Sequence, residues 1–138
     1  MDLTFLHLAD YANVTVDQKL NVMGIFSNIT TSSLPTVHPE MHVVAQLSAN
    51  ASEYGRQFKL SVKLLDEDAT KEIVSFDDTV IVPTGERGLP TRMNFNLRLV
   101  NVQFDTAGTY EVVVLVDGDQ KGSVPLEVIQ TSQVDAHY

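Results

Sequence analysis

The chain has 138 residues, 43% hydrophobic and 20% charged, with a formal net charge of −9 and no cysteine. A chain of this length buries roughly 70% of its unfolded surface in one core, so a single domain needs no staple. The missing thiols exclude disulfides and thiolate metal sites. The acidic balance argues against nucleic acid and anionic membrane surfaces, which need a basic patch.

The chain opens on "MDLTFLHLADYA", in which Asp2 stands where a signal peptide carries basic residues. No run approaches the ~18 apolar residues of a membrane span, so a reducing, cytoplasmic compartment is expected. The first predicted strand is "LTFLHLA", where His7 alternates with Leu3 and Phe5 as an edge or core histidine. "KLNVMGIF" is the second. "SNITTSSLPTVHPE" follows as the longest connection, expected to cross from one sheet to the other. "MHVVAQLSA" and "RQFKLSVKLL" are the third and fourth strands; in the latter Phe58, Leu60, Val62 and Leu64 alternate with polar residues, the mark of a half-buried strand.

The turn "LDEDATKE" leads into "EIVSFDDTVIV", whose apolar residues fall in both phases. "VPTGERGLP" is a loop between prolines, and "MNFNLRL" alternates again, with Asn94, Asn96 and Arg98 on its wet side. "YEVVVLV" is the seventh strand and "SVPLEVI" the eighth; Asp117-Gly118 between them supplies the positive φ a tight hairpin requires. Pro125 cannot donate to a ladder, which places the last strand at an edge or a bulge. Period two dominates throughout, so the expected fold is all-β, an eight-stranded antiparallel β-sandwich over residues 1–130, with a frayed tail at 131–138.

"FDTAGTYEV" carries Asp105, Gly108 and Tyr110 in the Asp-x-x-Gly-x-Tyr pattern that introduces the sixth strand of immunoglobulin-like domains, which it resembles. That resemblance implies an immunoglobulin-like second half with the Tyr110 hydroxyl bonded to backbone just upstream, near Leu99 to Asp105, and Asp105 closing an Asx-type turn. Val112 stands where the disulfide cysteine would be. Over almost the whole chain, "LADYANV", "KLNVMGIFSNI", "HPEMHVVAQLSA", "GTYEVVVLVDG" and "GSVPLEVI" resemble a family of small bacterial proteins of unknown function. This second resemblance implies a single-domain protein and transfers no site residues.

Candidate chemistry is sparse. "HPEMH" sets His38 and His42 around Glu40, but on an extended chain residues four apart lie ~13 Å apart, too far to share one ion. Both read as surface histidines. Asp77 and Asp78 fall on opposite faces of a strand and cannot act as a pair. Asn13, Asn28 and Asn50 head Asn-x-Ser/Thr triplets, which are without consequence unless the chain is exported. No nucleophile elbow or phosphate loop is found, so no catalytic residue and no cofactor is assigned. Asp66 and Asp68 in the "LDEDATKE" turn, with Asp105, are the best candidates for a calcium-like cation. Val113 and Leu115 occupy the second apolar phase of their strand, and with Ile73 or Ile81 they would form an outward interface patch. The expected function is a protein-interaction or assembly module, self-associating or docking on a partner. The alternative is a small-ligand or divalent-cation binding domain.

Overall fold

The computed structural model describes residues 1–131, which form nine strands: β1 Asp2–Val14, β2 Leu20–Phe26, β3 Asn28–Thr31, β4 Thr36–Ala49, β5 Gln57–Leu65, β6 Glu72–Ile81, β7 Thr91–Phe104, β8 Gly108–Val116 and β9 Asp119–Gln130. They make two sheets, one in the order β2-β1-β4-β7 and the other in the order β3-β9-β8-β5-β6. The tail expected at 131–138 lies, from residue 132 on, outside the described residues.

Alternation drives the layering. On β5, Phe58, Leu60, Val62 and Leu64 point inward; on β8, Tyr110, Val112, Val114 and Val116 do; on β4, Met41, Val43, Ala45 and Leu47 meet them from the opposite sheet. Each Val, Leu, Met or Phe side chain among them, taken fully out of water, contributes roughly 1.5–3 kcal/mol.

Two expectations about the sandwich need correction. The count is nine rather than eight, and the ladder is not wholly antiparallel. The long connection does not carry the chain over to the other sheet as expected: β2 and β4 lie in the same sheet, and the connection only visits the second one through β3, which pairs parallel with β9, Asn28 opposite Glu127 and Thr31 opposite Gln130. β9 is therefore not an edge in strand order. Pro125 is tolerated because β3 covers only Glu127–Gln130, which leaves the outer edge of β9 open at Pro125. The HPEMH segment is strand rather than loop. Pro39 sits inside β4 opposite Asn101, which takes a left-handed φ of 53°, and the ladder resumes at Glu40 and Val100. The hairpin turn runs as expected through Asp117 (φ 50°) and Gly118 (φ 80°).

The first sheet curls. β1 pairs with β4 only as far as Ala9 opposite His42, then continues with β2 alone. Its far end folds over the outer face of β4, where Asn94 Nδ2 donates to the Gln18 carbonyl and Asn96 Nδ2 to the Ala12 carbonyl, each at 2.8 Å. Ala9 and Val44 are consequently fully buried although they lie on the face opposite the main core.

Candidate functional site

The acidic turn has a structural job. Asp66 Oδ1 accepts the backbone N–H groups of Thr70 (2.9 Å) and Lys71 (3.1 Å), and Oδ2 accepts the Thr70 hydroxyl. These bonds, that from Lys71 foremost, hold its carboxyl below the usual carboxylate range. Asp105 does not close an Asx turn. It accepts from Gln103 Nε2 at 2.7 Å and faces Lys71 Nζ at 3.4 Å, the two causes of its own lowered pKa. Asp68 is exposed in the same turn as Asp66. Among the described residues no three His, Asp or Glu side chains converge as a metal ion would require.

The outward patch is not assembled. Val113 is only 4% exposed, between Lys63 of β5 and Ser123 of β9, and Leu115 is half-buried. Ile73 sits at a register shift between β5 and β6 and packs against the core instead of facing out with Val113. Ile81 is exposed, but it pairs with Gln57, about 20 Å along β5 from the row of Val113.

His42 is not a surface residue either. The curled hairpin leaves it 2% exposed, with the Tyr11 ring edge-on at 5.3 Å. Nδ1 lies 2.8 Å from Asn96 Oδ1 and Nε2 lies 2.9 Å from Glu40 Oε2, so both ring nitrogens have a polar partner. Glu40 Oε1 accepts from Arg98 at 2.9 Å; that bond, then His42, keeps the Glu40 carboxyl below its ordinary range. His38 is half-buried against Phe26. Asn94 and Asn96 on the polar face of β7 thus lie within a hydrogen-bonded seam, while Arg98 stays exposed.

The feature that sequence reasoning missed lies on the flank where the sheets end in β6 and β7. Each pairs on one side only, with β5 and β4 respectively, so their free edges border the same opening. Three depressions follow one another along it. The first, about 500 Å³, lies between Ile73, Val74 and Val102, with Lys71 and Asp105 at its rim. The second, about 160 Å³, has a floor of Val43, Ala45, Leu60 and Val62 and lips of Phe76 and Leu97. The third, about 460 Å³, lies between Val80, Ile81, Met93 and Phe95. Val74, Phe76, Asp78 and Val80 recur every second residue along the β6 wall, and Phe95 and Leu97 face them from β7. From Val74 to Val80 the groove is about 20 Å long. The apolar content of both phases of "EIVSFDDTVIV" was the one signal of it in the sequence.

A family model matches residues 4–129, and its description is a family of unknown function, DUF6941. The chain belongs to this family. The DUF6941 match runs from β1 into β9 and takes in both walls of the groove. A search of curated proteins found no match. Among solved structures, the chain is similar to Pseudomonas fluorescens alkylpurine DNA glycosylase AlkC bound to DNA containing an abasic site analog. The identity is 11% and the TM-score 0.47, over 90% of this chain and 30% of that one. A likeness that remote carries no argument about activity. Among the described residues no helix is long and apolar enough to cross a membrane.

Proposed function

We propose that this DUF6941 domain is a non-catalytic, cytoplasmic protein-interaction module that takes an extended segment of a partner protein into the groove between β6 and β7. The observation that carries the reading is the row of three depressions between two unpaired strand edges. A strand edge offers N–H and C=O groups to an incoming chain, and alternate side chains of that chain descend at about 7 Å intervals. The central depression, about 160 Å³, is smaller than the roughly 300–1,000 Å³ of small-molecule pockets and suits one inserted side chain. The depressions on either side, about 500 and 460 Å³, fall within that range; what favours a segment over a compact ligand is the run of all three along about 20 Å of β6.

The architecture supports the same reading if taken as immunoglobulin-like. β1, β4 and β7 then stand for strands A, B and E, and β5, β8 and β9 for C, F and G. Strand D of a constant-type domain lies beside E. Here β6 pairs with β5 instead, so none of the described strands takes that place beside β7.

The test is selection of displayed random dodecapeptides on the folded domain, with Leu97→Glu as the blocked groove. Enriched peptides should show alternating apolar residues and should lose binding to the variant, whose fold is checked by circular dichroism. Enrichment of nothing, or of peptides that bind the variant equally well, overturns the proposal.

A further inference from the structure

The groove has an acidic reader at its centre, and we infer that Asp78 selects a segment with a lysine or arginine at the matching position. This rests on the groove reading above and adds the chemistry of the partner. Asp78 occupies the inward phase of β6, between Phe76 and Val80, where an apolar residue would extend the wall. It remains exposed because it stands at the mouth of the central depression, with the apolar lips of Phe76 and Leu97 beside it. Its Oδ1 accepts the Thr79 N–H at 2.9 Å, and it makes no ion pair among the described residues.

The lysines on β5 and before β6 are engaged, and Arg92, which lines the third depression, makes no ion pair among the described residues. Lys59 faces Asp77 at 3.9 Å, Lys63 faces Glu72 at 2.7 Å and Lys71 faces Asp105 at 3.4 Å. No cation among the described residues is paired with Asp78, while the low-dielectric lips strengthen its field at the opening. The same charge disfavours a second copy as the occupant. Two chains of net charge −9 repel, and an inward-phase acid on an edge strand is a device against edge-to-edge pairing of like strands. A basic segment of another protein meets neither obstacle.

The experiment measures binding of one groove-dependent peptide in two forms, with Lys or Glu at the position opposite Asp78, to the native domain, Asp78→Asn and Asp78→Lys. An exposed ion pair is worth about two- to fivefold in affinity, so the Lys form should bind the native domain about tenfold tighter than the Glu form. The preference should vanish in Asp78→Asn, reverse in Asp78→Lys and shrink as salt rises. Asp78→Asn, which keeps the side-chain size, decides the matter if Asp78→Lys does not fold. Peptides that lose binding to Leu97→Glu but show no charge preference, or keep it in both Asp78 variants, overturn the role of Asp78 and leave the groove standing. If no peptide depends on Leu97, both proposals fall together.

Discussion

Asn96, on β7, donates a 2.8 Å hydrogen bond to the carbonyl of Ala12, on β1, across the strand that separates them. Its oxygen meanwhile lies 2.8 Å from His42 Nδ1 on β4, so one amide joins three strands. Asn96→Ala leaves a buried carbonyl and a buried ring nitrogen without partners. The expected loss is about 1–3 kcal/mol in urea unfolding. A loss below a few tenths would mean that the curl of β1 over β4 does not depend on this bond.

Tyr110 is buried, and its hydroxyl donates to the Thr106 carbonyl at 2.7 Å while its ring meets Phe104 edge-on at 5.0 Å. The acceptor is one residue beyond the stretch expected from the sequence. Tyr110→Phe keeps the ring contact and strands the carbonyl, so about 1–2 kcal/mol should be lost. An unchanged urea midpoint would show that the hydroxyl contributes nothing to the corner.

Val113 and Leu115 share a phase of β8 but not an environment. Val113→Lys would bury a charge with no partner and should cost about 2–4 kcal/mol. Leu115→Lys, at a half-buried site, should cost less than about 1 kcal/mol. Equal losses would contradict the difference in depth. Sedimentation of Leu115→Lys also tests the association expected of this face, since a lighter species than the native domain would restore it.

Acid should weaken the fold through Glu40, Asp66 and Asp105, whose carboxyls all lie below their ordinary range. A depressed carboxyl contributes stability above its unfolded pKa, about 4 for these residue types, and loses it as pH falls through the folded value. The melting-temperature gap between the native domain and Glu40→Gln should therefore be present at pH 6 and close as pH falls below about 4. A gap that stays constant down to pH 2 would show that Arg98 and His42 do not favour the ionised form.

The strands were legible because period two is a local property, and β5 declares it in nine residues. β3 was not: four residues, Asn28–Thr31, leave little pattern, and their partner lies at the far end of the chain. His42 was misjudged for a related reason. His42 does face away from Met41 and Val43, but burial on that face comes from a hairpin curling over it, held by Asn94 and Asn96. The groove was hidden because β6 and β7 are consecutive in sequence and would read as a hairpin, yet they belong to different sheets. Asp66 was placed correctly in the "LDEDATKE" turn, and its Oδ1 accepts the backbone N–H groups of Thr70 and Lys71 there.

The parallel pairing of β3 with β9 also sets an order of events during synthesis. Residues 28–31 leave the ribosome early and wait for 127–130, almost the whole domain later. Until then β8 lacks its neighbour on that side, and the apolar faces of β8 and β5 have incomplete cover. Contacts between distant parts of a chain slow folding, and unpaired edges in the interval invite aggregation. A nascent chain arrested before Asp119 should therefore remain protease-sensitive, and protection should arrive in one late step when β9 emerges.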